Sequence, residues 1–182
     1  ERKVVDQVDL AGLSGKFGLG YREDAVRKGA HSLASEHTWN RLAQKVDEDS
    51  VNSNEARSFK EAVNNNVSEE SARRVENGSA FSQVRDETKR NMLEAGVSIG
   101  LGKGATGLLS ALTLGTVDVK AQGGGRYQLI GTEGKKASFS ASESEVNALK
   151  NSSTEIRESA LARTLQTSEG RKYASSLSAQ DI

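Results

Sequence analysis

Hydrophobic and polar residues alternate along the first part of the chain and then switch to a helical spacing. Leu13, Phe17 and Leu19 share one side of the alternating segment, which predicts a half-buried strand within residues 3–21. From residue 23 to residue 95 the apolar positions recur every three or four residues, as they do on one side of an α-helix. The pattern therefore predicts one strand followed by a helical section.

Three helices are predicted within the helical section. A second helix runs from about Asn54 to Asn64, and a third begins after Ser68, a suitable N-cap, and is interrupted near Gly78. Each apolar stripe is narrow and each opposite face is polar, so we expect each helix to pack against one surface. The apolar residues that define the first helix are Val26, Ala30, Leu33, Trp39, Leu42, Ala43 and Val46.

The alternating pattern returns in the second half of the chain and predicts a β-meander over residues 96–141. Val97, Ile99 and Leu101 form its first strand, in which they alternate with serine and glycine. The remaining strands lie on either side of a triple glycine at 123–125 and of a Thr-Glu-Gly turn. Such glycine-rich turns are typical of hairpins, so we expect short antiparallel strands that follow one another in sequence.

A helix start signal follows the meander. Ser142 and Glu145 have the spacing of a capping box, which predicts a last helix over residues 142–180. The whole pattern predicts an α+β fold in which a small glycine-rich antiparallel β-meander accompanies several long polar amphipathic helices. We expect residues 1–182 to form a single domain.

Composition limits the classes of function. The chain has 182 residues, of which 35% are hydrophobic and 4% aromatic, so little apolar surface is available for a thick core. Its 25 basic and 25 acidic residues form no blocks of like charge, which leaves no electrostatic footprint for nucleic acid or an anionic membrane. The absence of cysteine excludes disulfides, thiolate catalysis and cysteine–zinc sites. The sequence begins with Glu1 and has no signal-peptide pattern, so we expect a piece of a longer protein.

The stretch from Gly96 to Gly115 is the part of the chain that most resembles a chemical site. Residues 102–107 match the spacing G-x-G-x-x-G, but the helix that must hold a pyrophosphate has at most two turns available. A P-loop is excluded because Lys103 is followed by glycine. A membrane span has the right length, yet the same lysine costs about 2.5–3.5 kcal/mol near the bilayer centre. The interpretation we favour is a flat, glycine-lined sheet face on which a helix or another chain packs.

No other residues form a recognisable catalytic or metal-binding pattern. His31 and His37 are six residues apart, which is not the spacing of a helical metal site. The serines lack a nucleophile-elbow motif, and no acidic pair has a neighbour that suggests a raised pKa. The sequence thus predicts no catalytic residue, no metal and no cofactor. Trp39, the single tryptophan, is predicted to be a core residue first and an interface residue second.

A serine-rich polar helix follows glycine-punctuated strands in the segment LTLGTVDVKAQGGGRYQLIGTEGKKASFSASESEVNALKNSSTEIRESALARTL. Together with LSGKFGLGYRED and AGVSIGLGKGATG, this segment resembles the C-terminal soluble region of TraG-type conjugative transfer proteins. The resemblance is compositional and carries over no catalytic signature. It implies a periplasmic part of an inner-membrane protein that acts in mating-pair stabilisation and entry exclusion within a type IV secretion system.

The leading hypothesis is a non-enzymatic protein-interaction module of a bacterial conjugation apparatus. The expected partner is an exclusion protein in the recipient's inner membrane or another mating-pair component, with no nucleic acid and no small-molecule substrate. Membrane contact is expected only through parts of the parent protein outside this sequence, and the narrow helix stripes leave a homo-oligomer open. The residues predicted to lie at the interface are Gly100, Gly102, Gly104, Tyr127, Phe139 and Trp39.

Two other classes of function remain open. A membrane-active or pore-forming translocated domain would insert the stretch from Gly96 to Gly115, and liposome leakage distinguishes it from a recognition module. The third class is an enzyme, with cell-wall hydrolysis as the reaction that suits a conjugation setting. No constellation of carboxylates supports that third class.

Overall fold

The computed structural model describes residues 19–102 and 104–177 of the chain, with side chains from Val26 onward. These residues form helices and one three-stranded antiparallel sheet, which confirms the predicted α+β fold. They divide into two compact units. Unit 1 consists of the residues up to Asn66 together with those from Arg157 onward, and unit 2 consists of Val67–Ile156. The single-domain organisation expected from the sequence stays a prediction.

Helices precede and follow the sheet along the chain. The helices are α1 (Leu19–Leu33), α2 (Glu36–Ser50), α3 (Asn54–Glu76), α4 (Asp86–Ser98), α5 (Ala105–Leu114), α6 (Glu143–Leu165) and α7 (Ser168–Ala174). The strands are β1 (Asp118–Gly123), β2 (Arg126–Ile130) and β3 (Lys136–Ser140), and a short 3₁₀ turn (Thr132–Gly134) joins the last two. The boundaries between the units fall within α3 and within α6.

The first two helices carry the apolar stripes that their spacing predicts, but as two helices rather than one. Trp39, Leu42 and Val46 of α2 are at most 5% exposed. The α1 helix begins at Leu19, so the strand predicted within residues 3–21 is wrong for its last three residues. Its other residues lie outside the described part of the chain. The buried α1 residues Val26, Ala30 and Leu33 recur at helical spacing, which favours a helix over a short period-two alternation.

The α3 helix starts at Asn54, where the second helix was predicted to start, but the break expected between Asn64 and Ser68 is wrong. The α3 helix continues to Glu76 and ends shortly before Gly78, where an interruption was expected. Neither glycine nor proline lies between Asn64 and Ser68. Val67 in this segment is fully buried, so packing favours a continuous helix over a new start at a serine N-cap.

The last helix starts with the predicted capping box but is divided before its predicted end. The Ser142 hydroxyl accepts a hydrogen bond from the Glu145 backbone N–H, and the Glu145 carboxylate accepts one from the Ser142 N–H. The α6 helix ends at Leu165, and a new helix begins after Thr167, whose hydroxyl accepts a hydrogen bond from the Gly170 N–H. Residues 178–180 of the predicted helix lie outside the described part.

The strand predicted from Val97 to Leu101 is wrong. The α4 helix extends through Ser98, and Met92, Ala95 and Ile99 are buried at helical spacing. A loop with Gly100 and further glycines then leads into α5. The glycines at 100, 102 and 104 have φ of +85°, +80° and +104°, a region that an extended strand does not use. The glycine-lined sheet face expected from these residues is therefore also wrong.

The rest of the predicted meander is confirmed in unit 2. The sheet has the order β1-β2-β3, and both pairs are antiparallel. Gly124 and Gly125 form the tight turn between β1 and β2 with φ of +63° and +74°, as the favoured two-residue hairpin turn requires. Val119, Leu129 and Phe139 are buried on one sheet face, which we name the inner face. The opposite, outer face carries polar side chains.

Candidate functional site

The structure places the six predicted interface residues in three locations. Gly100, Gly102 and Gly104 are exposed in the loop between α4 and α5. Tyr127 and Phe139 are neighbours on adjacent strands, with ring centroids 6.1 Å apart, and Phe139 is only 2% exposed. Trp39 belongs to unit 1, where it is 3% exposed. Phe139 is the one of the six that lines the groove described next.

A polar groove of about 370 Å³ lies between α4 and β3 in unit 2. We name it the α4–β3 groove. Its lining combines small or apolar side chains with hydroxyl, amide and charged side chains. The lining residues are Asn91, Glu94, Ala95, Ser98, Arg126, Ala137, Ser138, Phe139 and Ser140.

One wall of the groove is a single face of α4. Asn91, Glu94 and Ser98 are spaced three and four residues apart, so their side chains lie on the same side of the helix. The helix runs in the opposite direction to β3. Arg85, just before α4, contacts Glu145 beyond the end of β3, whereas Ile99, just after α4, contacts Gly131 before its start. Asn91 therefore lies nearer the end of β3 than Ser98 does.

The other wall is the free backbone edge of β3. The Gly131 N–H donates to the Lys135 carbonyl, and the Ala141 N–H donates to the Gly125 carbonyl. The backbone groups of Lys135 and Ala141, which flank β3, therefore point toward β2. Because backbone groups alternate along an antiparallel strand, the N–H and C=O of Ser138 direct away from β2. No turn, cap or side-chain hydrogen bond within the described part of the chain engages the Ser138 backbone N–H or C=O.

Two opposite charges line the groove without neutralising each other. Arg126 reaches across the outer face, where its guanidinium donates to the Ser140 hydroxyl at 3.1 Å. Glu94 is exposed on the α4 wall. Within residues 19–102 and 104–177, neither side chain forms an ion pair. The groove thus offers one anionic and one cationic group to whatever enters it.

The edge of the sheet formed by β1 is better protected than the β3 edge. The Asp118 carboxylate accepts a hydrogen bond of 2.8 Å from the Val119 N–H, which occupies a donor that a new strand would need. The strand also carries Lys120 and has an irregular register between Ala121 and Gly123. Charged side chains and bulges are common devices that keep an edge strand from pairing with another chain.

A buried carboxylate links the start of α4, which lines the groove, to the start of α6. Glu145 of α6 is 4% exposed and accepts hydrogen bonds from Arg85, Thr88 and Ser142. Burial alone would raise the pKa of the Glu145 carboxyl. Hydrogen bonds from the side chain of Arg85, the backbones of Ser142 and Arg85, and Thr88 outweigh burial and lower the pKa from 4.5 to about 2. Glu145 is therefore ionised near neutral pH and fixes the start of α4.

The groove is suited to binding through hydrogen bonds and charge. Within the described residues, no cluster of histidine and acidic side chains has the arrangement of a metal site, and His31 instead contacts Glu158 at 2.9 Å. The same residues include no helix that is both long and apolar enough to cross a membrane. Glu94, Ser98 and Arg126 were not predicted from the sequence as site residues. The spacing of Glu94 and Ser98 becomes a signal only when α4 is known to continue to Ser98.

The comparisons with known proteins identify no relatives. No protein-family model, no curated protein and no solved structure matches the chain.

Proposed function

We propose that this chain is a non-enzymatic protein-interaction module that recognises its partner through unit 2. The observation that carries the proposal is the α4–β3 groove, in which the free backbone of Ser138 faces a polar helix face. Backbone N–H and C=O groups at a sheet edge pair with the backbone of another polypeptide, and neighbouring side chains select its sequence.

The resemblance to TraG-type transfer proteins supports a more specific setting for this recognition. In that setting the chain is a soluble periplasmic part of an inner-membrane protein of a bacterial conjugation apparatus. It acts in mating-pair stabilisation or entry exclusion. Its partner is an exclusion protein of the recipient cell or another component that stabilises the mating pair.

Light scattering during size-exclusion chromatography tests this function. The purified chain is run alone and mixed with the periplasmic part of the exclusion protein from the same conjugative element. We expect a complex whose mass is the sum of the two components. The matched control is the corresponding exclusion protein from an unrelated element, which should add no mass.

Two results would contradict the proposal. If neither the exclusion protein nor the other mating-pair components of the element add mass across a concentration series, the chain is not a recognition module of this apparatus. If the chain forms a large oligomer by itself and makes liposomes leak, the membrane-active function replaces the proposed one.

A further inference from the structure

We propose that the α4–β3 groove binds a partner segment in extended conformation, which adds to the sheet as a fourth strand beside β3. The inference rests on the proposed function, because it specifies how the recognition module holds its partner. It commits to one occupant: a stretch of polypeptide that carries an acidic residue next to a basic residue.

The alternation of backbone groups in β3 is the first reason. Lys136, Ser138 and Ser140 direct their N–H and C=O groups away from β2, and Ser138 and Ser140 line the groove. An added antiparallel strand would pair with these groups over the length of β3, which is about 16 Å at roughly 3.3 Å per residue. Ser138 lies at the centre of this row, so its N–H is the donor that matters most.

The contrast between the two sheet edges is the second reason. On β1 the Val119 N–H is already bound by the Asp118 carboxylate, and Lys120 lies beside it. Both edge strands carry a lysine, which is Lys136 in β3. On β3, however, no acceptor among the described residues occupies the Ser138 N–H, the register with β2 is regular, and the α4 wall forms a groove of about 370 Å³ along the strand. A free edge within a groove admits a single strand of defined length, whereas an open edge pairs without selection.

The charges of the groove define the ligand chemistry. Arg126 lies on the outer face of the sheet in the same cross-strand row as Ser140, and its guanidinium reaches that serine. Glu94 lies on α4, beside Ala95, and the inner-face residues Ala137 and Phe139 line the same groove. Successive side chains of a strand point to opposite faces. A ligand with an acidic residue facing Arg126 therefore presents its next residue toward Glu94, and that residue should be basic.

Selection from a phage-displayed library of random heptapeptides tests the inference with the full chain as bait. We expect enriched peptides that contain an acidic residue adjacent to a basic residue, set among residues that favour extended structure. The absence of any enriched sequence would overturn the proposal. So would enriched peptides whose binding does not depend on the groove, as measured with the variants below.

Fluorescence polarisation with the best enriched peptide measures this dependence. The Ser138→Pro substitution removes the central N–H at an edge position where proline is tolerated, and it should weaken binding by about tenfold or more. The matched control is Ala121→Pro at the other edge of the same sheet, which should change the affinity by less than about twofold. Equal loss in both variants would show that binding depends on an intact sheet and not on the β3 edge, and it would overturn strand addition beside β3.

Methylation of the peptide backbone keeps the test decisive even if Ser138→Pro does not fold. Each residue of the enriched peptide is N-methylated in turn and measured against the unmodified chain. Strand addition predicts that methylation weakens binding at every second residue, because only alternate N–H groups face β3. Uniform tolerance, or loss at consecutive residues without alternation, would overturn the proposal.

Charge reversal tests the assigned ligand chemistry. Arg126→Glu should lower the affinity for the original peptide by about tenfold and should favour a peptide in which the acidic residue is replaced by lysine. Glu94→Lys should favour a peptide in which the neighbouring basic residue is replaced by an acidic one. If both variants keep the original preference, the charged side chains of the groove do not select the ligand and the assigned chemistry is wrong.

The outcomes separate this inference from the proposed function. A chain that forms a complex with the exclusion protein, and keeps it with Ser138→Pro, retains the function but loses the groove as its site. If peptide binding is weakened by N-methylation at every second residue, but the chain gains no mass with any mating-pair component, the groove remains a strand-binding site. The chain then belongs to a different biological setting.

Discussion

The carboxylate of Glu145 lies 3.1 Å from a guanidinium nitrogen of Arg85 and 2.8 Å from the Arg85 backbone nitrogen. The same carboxylate accepts hydrogen bonds from Thr88 in the first turn of α4 and from Ser142 at the start of α6. One buried acidic side chain therefore satisfies donors at the beginning of two helices, where backbone N–H groups lack partners within the helix. It also sets the position of α4 at one end of the groove.

Replacement of Glu145 by alanine should destabilise the protein markedly. The substitution leaves the N–H groups of Arg85 and Ser142 without their acceptor and removes the capping box. We expect the free energy of unfolding to fall by about 2–3 kcal/mol, the range for a lost cap combined with an unsatisfied polar group. Urea denaturation followed by circular dichroism measures the change. The control is Glu143→Ala in the same turn, where an exposed side chain should contribute less than about 0.5 kcal/mol. Equal effects of the two variants would disprove this role.

The same residue predicts a dependence of stability on pH. The folded pKa of Glu145 is about 2, below the ordinary value of 4.5, so the folded state favours the ionised carboxylate. Its contribution is therefore present above about pH 4.5 and is lost as the pH falls toward about pH 2. The difference in unfolding free energy between the wild-type protein and Glu145→Gln should shrink over this interval. A difference that stays constant between these pH values would contradict the lowered pKa.

The surroundings of Glu145 show which contacts the sequence can predict. The capping box of Ser142 and Glu145 was predictable because the motif needs only hydrogen bonds between residues three positions apart. The bonds from Arg85 and Thr88 to the same carboxylate join residues 60 and 57 positions apart, and no local spacing predicts them. The hairpin turn at Gly124 was predictable for the same reason as the cap, because turn geometry is local.

The error at Val97 arose because one short run satisfies two periods. Val97, Ile99 and Leu101 alternate with small residues, but Met92, Ala95 and Ile99 also have helical spacing. A run this short fits both periods. The helix forms because it buries Met92, Ala95 and Ile99 on one side. The groove could not be predicted as a consequence. With a strand from Val97, Ser98 does not share a helix face with Asn91 and Glu94.

Arg157 and Trp39 provide a test within unit 1. The Arg157 guanidinium lies 5.6 Å from the centre of the Trp39 ring, and burial lowers the pKa of Arg157, with nearby Glu36 acting in the opposite direction. Arg157→Lys should destabilise the protein by about 1–2 kcal/mol, because a compact, strongly hydrated ammonium replaces a stacked guanidinium. Since Trp39 is the only tryptophan, its fluorescence emission should also shift to longer wavelength as water gains access to the ring.

The matched control is Arg27→Lys, which makes the same chemical change at an exposed position of α1. It should leave both the fluorescence spectrum and the urea midpoint unchanged. An Arg157→Lys protein with wild-type emission and stability would show that the contact with Trp39 is energetically neutral.

Two buried helical glycines should respond to alanine in opposite directions. At Gly96 in α4 an added Cβ would lie 3.6 Å from Leu101 Cδ1, an ordinary contact, so Gly96→Ala should stabilise by about 0.5–1 kcal/mol through helix propensity. At Gly170 in α7 the added Cβ would overlap the Thr164 carbonyl and lie 2.9 Å from Thr167 Oγ1. Gly170→Ala should therefore destabilise by about 2–3 kcal/mol, since backbone atoms must move. Urea midpoints of the two variants test this directly, and a shift of the same sign in both would refute the assigned packing.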